Sequence, residues 1–161
     1  MEFIPATRLH FSEIINLVSS PEELYLISPA AKYPWDMEQL EEIFRSRHNL
    51  TVAVVNDTVA AFADLYDVIP GDTAFIGNVI VSDQFKGKGI GKALSHYMIN
   101  ICVFEHNAVP HISVFGNNSR AILLYSKIGF IPYAVEARKN LDDETVALIK
   151  MYYEPTVESE M

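Results

Sequence analysis

Three glycines, Gly87, Gly89 and Gly91, alternate with Lys86, Lys88, Ile90 and Lys92 within VIVSDQFKGKGIGKAL, which runs from Val79 to Leu94. A β-branched run precedes them and a helix-compatible run follows. A strand that feeds a glycine-rich turn into a helix gathers unsatisfied backbone N–H groups and the positive end of the helix dipole at one point. Such a point can hold an anion, and the three lysines add positive charge to it. Glycine takes positive φ and carries no Cβ, so a diphosphate can come close to the main chain. The same triplet also serves as a plain tight turn.

Spacing removes two familiar nucleotide loops. A Walker A loop needs glycine five positions before Gly91 and Ser or Thr after Lys92, where this chain has Lys86 and Ala93. A dinucleotide fingerprint begun at Gly87 or Gly89 needs Gly or Ala where Lys92 and Leu94 stand. ATP, GTP and NAD are therefore disfavoured. His10, His48, His96, His106 and His111 show no ligand spacing with one another or with Cys102, so no metal site is expected. Cys102 falls on an apolar stripe and reads as a buried structural cysteine.

The elements that position the glycines follow from periodicity. Residues 2–10 read as a strand, Ser12 to Val18 as a short helix, and Asp36 as the cap of a helix reaching about Arg47. LTVAVVN and TVAAFADLYDV form a hairpin about Asn56 and Asp57, and TAFIGNVIVS completes an antiparallel meander. After the glycines, Ile90, Leu94, Met98, Ile101 and Cys102 mark a helix that ends near His106 or Asn107. HISVFG is a strand, Ser119 to Ile128 a helix stopped by Gly129, and FIPYAV and TVALIKMYY are two last strands. One strand-helix-strand unit demands a parallel pair. The expected class is mixed α/β: a mostly antiparallel twisted sheet with one parallel strand pair, flanked by helices.

The chain has 161 residues, half of them apolar, which suits one domain over residues 1–154 followed by a flexible acidic tail at 155–161. Its net charge of −9 opposes polyphosphate backbones, so nucleic acid is not expected as a partner. With one cysteine, no signal-like opening and no membrane-length apolar run, a soluble cytoplasmic setting is expected.

Two segments together, VIVSDQFKGKGIGKAL and NNSRAILLYSKIGF, resemble the signature segments of the GNAT superfamily of acyl-CoA-dependent N-acyltransferases. The family pattern of Gln or Arg, two residues, Gly, one residue, then Gly or Ala fits best from Lys86 through Gly89 to Gly91, with Lys86 in place of Gln or Arg. The strand order matches the family fold across nearly the whole chain.

The resemblance implies acetyl-CoA as co-substrate, a sheet that splays between its fourth and fifth strands, and a pantetheine arm lying in that gap. It assigns the arm to the main chain of Val79, Ile80 and Val81, and the diphosphate to Lys86, Gly87, Lys88, Gly89, Ile90, Gly91 and Lys92. The valine side chains read as ordinary strand core. Asn118 matches a residue that often touches the cofactor and also suits a helix cap. Tyr125 matches the tyrosine that assists the departing thiolate by donating a proton or hydrogen bond. Family members of two kinds carry a glutamate base where this chain has Phe75 or Ser113, so no base is named. A water chain ending at Asn78, Ser113 or Asp64, or an acceptor arriving as free amine, remains open.

The loop between the first two helices often walls the acceptor site in this family, which makes Tyr33 and Trp35, with Asn78 and Ser113, substrate candidates. Tyr66 and Tyr133 are further stacking candidates, and Trp35 suits a core anchor equally. The expectation is an N-acetyltransferase acting directly on an amine of a small molecule or protein. A non-catalytic acyl-CoA-binding or sensing module is the alternative. Homodimers are common among relatives.

Overall fold

The computed structural model describes residues 1–155, so the expected tail lies, from residue 156 on, outside the described residues. The order of elements is β1 (Glu2–Pro5), α1 (Phe11–Ile15), α2 (Pro21–Ile27), α3 (Met37–Ser46), β2 (His48–Val55), β3 (Thr58–Ile69), β4 (Thr73–Val81), α4 (Ile90–His106), β5 (Val109–Phe115), α5 (Ser119–Ile128), β6 (Phe130–Lys139) and β7 (Thr145–Tyr153). One sheet of seven strands runs in the order β1-β2-β3-β4-β5-β7-β6. Its β4-β5 pair is parallel and its other neighbours are antiparallel. This is the expected mixed sheet.

The expected helix ends hold where a cap dictates them. Asp36 accepts from Gln39 N at 2.9 Å and starts α3, while Asn107 in the left-handed region closes α4. The first strand stops earlier than expected, because Thr7 and His10 cap each other and draw Arg8–His10 into a 3-10 turn. α2 is an element that periodicity did not anticipate. Ser20 accepts from Glu23 N at 3.1 Å, Pro21 sits at the first helical position, and Glu22 and Glu23 face the positive end of the dipole.

Helices cover both faces of the sheet. On one face Leu94, Met98 and Cys102 of α4 pack on Ala61, Ala63 and Ile76. The small β3 side chains let a long helix lie close. On the other face Phe11, Ile14, Leu24, Trp35 and Leu40 pack on Val52, Phe62 and Ile80. Leu94 is fully buried, so Leu94→Ala should cost about 2–5 kcal/mol by the lost transfer energy and residual cavity. Urea denaturation measures it, and a loss well under 1 kcal/mol would contradict this packing.

Candidate functional site

β4 and β5 pair only through Thr73↔Val109, Ala74↔Pro110 and Phe75↔His111. Beyond that point β5 follows β7 from His111↔Tyr152 to Phe115↔Leu148, while β4 stays with β3. The β3-β4 register passes from Phe62↔Ile80 to Asp64↔Gly77, which puts an extra residue on β4. Asn78, at φ 51°, sits in that bulge. A bulge bends its strand, and here the bend accompanies the opening of the sheet. Past Phe75 the β5-facing main-chain groups of β4 have no sheet partner among the described residues.

Two cavities, of 350 and 430 Å³, lie along this free edge. They share Leu26, Ile27, Val79, Asn118, Ala121 and Tyr125. α2 covers both, because Glu23 accepts from Lys86 Nζ at 2.7 Å, while Tyr25 donates to the Lys139 carbonyl and stacks on Phe115 at 4.8 Å.

The larger cavity ends at the glycines. Gly87 and Gly89 hold φ of 78° and 83°, a region open to glycine at little cost, and an added Cβ on either would point into open space. Gly89 caps α4, and the first helical bond runs from Ala93 N to Gly89 O at 3.1 Å. The amides of Ile90, Gly91 and Lys92 are thus left for a ligand. Lys86 Nζ is held by Asp83 and Glu23, each at 2.7 Å, whereas Lys88 lies over the Phe85 ring. An open cradle, free amides and an unpaired strand edge fit an acyl-CoA: diphosphate at the glycines, pantetheine along β4.

Tyr125 stands where the cavities meet. It is 8% exposed and packs edge-on to Phe130 at 5.7 Å. Burial pushes its hydroxyl up to about 12, against a smaller opposing effect of Ser95, so it is un-ionised at neutral pH. Asn118 caps α5 by accepting from Ala121 N at 3.3 Å, and it also lines both cavities.

The smaller cavity has a polar floor in Asn78, with a buried carboxylate behind it. Asp64 is 0% exposed and accepts from Arg47 Nη1 and Asn78 Nδ2, each at 2.8 Å. Burial raises its carboxyl to about 6, with Arg47 and then Asn78 opposing. Asn78 is 2% exposed and its Oδ1 has no hydrogen-bond partner among the described residues. Tyr66 and Ser113 share this cavity, and burial raises the Tyr66 hydroxyl against a smaller effect of Ser113. Arg47, Arg138 and Lys150, none of them singled out by motif, line it as well.

Other candidates fall elsewhere. Trp35 is 3% exposed and meets Phe62 edge-on at 6.4 Å, so it anchors the core, and it lines neither cavity. Its neighbour Tyr33 is 47% exposed and lines neither cavity, because the loop's apolar anchor turns inward and leaves that ring on the outside. Tyr133 bonds His111 Nδ1 at 2.9 Å outside the cavities, whereas Phe75 lines the smaller cavity and lies tilted between Tyr66 and His111. Cys102 is buried, and burial pushes its thiol up to about 12, which suits packing and not nucleophilic attack.

Comparison with known proteins meets this geometry directly. The Acetyltransferase (GNAT) family profile matches residues 13–130, which includes the bulge, the glycines and Tyr125. The chain belongs to the GNAT family. The [ribosomal protein bS18]-alanine N-acetyltransferase of Escherichia coli K12 is 26% identical over 122 residues, covering 72% of this chain and 81% of the relative. Among solved structures, smu.2055 from Streptococcus mutans UA159 superposes with a TM-score of 0.79 at 21% identity, covering 96% of this chain and 99% of the other. A GNAT family acetyltransferase from Elizabethkingia anophelis with acetyl-CoA bound gives a TM-score of 0.67 at 20% identity, covering 96% and 97%. This GNAT chain is an acyl-CoA-dependent N-acetyltransferase whose donor is acetyl-CoA and whose acceptor is an amine. No described helix is long and apolar enough to cross a membrane.

The buried carboxylate of this transferase makes a signed prediction. Asp64 has a folded pKa raised from the ordinary 3.8 to about 6, so the native state binds the extra proton and stability falls as pH rises through that window. Asp64→Asn removes this dependence. Thermal melts across the window should show the parent losing ground to the variant as pH rises, and parallel profiles would contradict the burial argument.

Proposed function

We propose that the glycine loop and the free edge of β4 hold acetyl-CoA while Tyr125 serves the leaving sulfur, with the amine entering through the cavity floored by Asn78 for direct transfer. The observation that carries this is the position of Tyr125, un-ionised and at the junction of the two cavities. When bound, acetyl-CoA supplies the thioester carbonyl that the amine attacks and the thiolate that departs.

The main chain from Gly87 to Lys92 holds the diphosphate by its amides, aided by the Lys88 and Lys92 charges. Val79, Ile80 and Val81 present main-chain groups to the pantetheine as a strand edge does to an added strand. Lys86, engaged by Glu23 and Asp83, keeps the loop and α2 in register around the ligand. Asn118 closes the wall between the cavities. Tyr125, at about 12, is a weaker acid than a thiol of about 8.5, so it stabilises the thiolate by hydrogen bonding and full proton transfer to sulfur is uphill. Asn78 Nδ2 is committed to Asp64, which leaves Oδ1 as an acceptor for an acceptor-side N–H. Ser113 and Tyr66 complete that wall.

The curated bS18-alanine enzyme makes a protein α-amine one acceptor to try beside small amines. Residues 1–154 form the working unit in a cytoplasmic setting, and the net charge of −9 opposes nucleic acid and anionic membrane surfaces as partners.

Tyr125→Phe should lower kcat by about 10²-fold with acetyl-CoA affinity changed less than about threefold. Thiol release and calorimetric titration together measure this. Unchanged kcat would remove Tyr125 from the role.

A further inference from the structure

We propose that the acceptor carries a carboxylate or similar anionic group beside its amine, and that Arg47 and Lys150, helped by Arg138, recognise it. This rests on the assignment of the smaller cavity to the acceptor. The protein as a whole bears a net charge of −9, yet the ionisable wall of this cavity reads the other way. Arg47, Arg138 and Lys150 line it, and Asp67, exposed at the far part of β3, is the carboxylate among its lining residues.

The cations are placed with different freedoms. Arg47 donates Nη1 to Asp64 at 2.8 Å, its guanidinium lies 4.5 Å from the Tyr66 ring centroid, and a Cβ at Gly77 would fall 2.5 Å from Nη1. Held on three sides, the guanidinium is preorganised. It has five N–H donors, and among the described residues its side chain donates only to Asp64. The donors that remain belong to a side chain on the cavity wall. An ordered fork binds a planar carboxylate at less entropic cost than a free lysine does. Across the cavity, Glu136 alone accepts both Arg138 Nη2 at 2.6 Å and Lys150 Nζ at 2.8 Å. One carboxylate shared between two cations leaves positive charge over for a ligand. A polyamine would meet the three cations with Asp64 and Glu136 already engaged, so that Asp67 is the one carboxylate of the described lining left to receive it.

Matched acceptors test this in the intact protein. L-amino acids are compared with their C-terminal amides, a tripeptide amide with glutamate at its second position with the glutamine version, and spermidine serves as the polycation. Thiol release should show kcat/KM about tenfold or more higher for the carboxylate-bearing member of a pair, and the favoured pair tells a free amino acid from an acidic peptide. That advantage should shrink several-fold in Lys150→Gln, a change at a half-buried position, and in Arg47→Lys, which keeps a cation for Asp64. Equal use of the members that lack the carboxylate, or spermidine as the best acceptor, overturns the inference. Calorimetric titration with acetyl-CoA reports separately on the transferase site in each variant.

Discussion

The structure depends on the parting of β4 and β5. Parallel neighbours in a closed sheet would satisfy each other along their length, but here three pairs at one end give way to a free edge. Two forces keep it open. β5 is claimed by five pairs to β7, and the Asn78 bulge bends β4 away. The cost is a row of unsatisfied main-chain groups, the kind of edge that soluble proteins normally cover. A ligand with amides of its own can occupy that edge, and the glycine turn at its far end offers free main-chain amides to an anionic group. α2 ties the two halves of the opened sheet together through Glu23, Tyr25 and their partners.

Beneath the opening lies a polar cluster that is costly to bury. Asp64 has no exposure, and its carboxyl is raised despite Arg47 and Asn78. Its effect on the cleft is indirect, since it orients Arg47 and Asn78 while touching no cavity itself. Desolvated but paired charges of this kind hold neighbours in one geometry more than they add stability. The rigid Arg47 and the one-sided Asn78 amide follow from that arrangement.

Much of this was legible in the residues. Gly87, Gly89 and Gly91 marked the start of α4, and Asp36, Asn107 and Gly129 marked helix ends, because turns and caps are set by local chemistry. α2 was missed although Ser20, Pro21, Glu22 and Glu23 form a good helix start. Its seven residues are too few for apolar periodicity to show. The Asn78 bulge has no single-strand signature, since it exists only against β3. Arg47, Arg138 and Lys150 come from three separate strands or strand entries, so the cavity joins what the chain keeps apart. Trp35 and Tyr33 are two positions apart and end inside and outside, an outcome fixed by the packing of Phe62.

Hydrogen exchange with and without acetyl-CoA tests the central claim most directly. If the opened edge of β4 and the start of α4 hold the donor, amides in Val79 to Lys92 should slow on saturation, while those already protected between β2 and β3 stay unchanged. Tight binding with no slowing in Val79 to Lys92 would place the donor elsewhere and contradict the account.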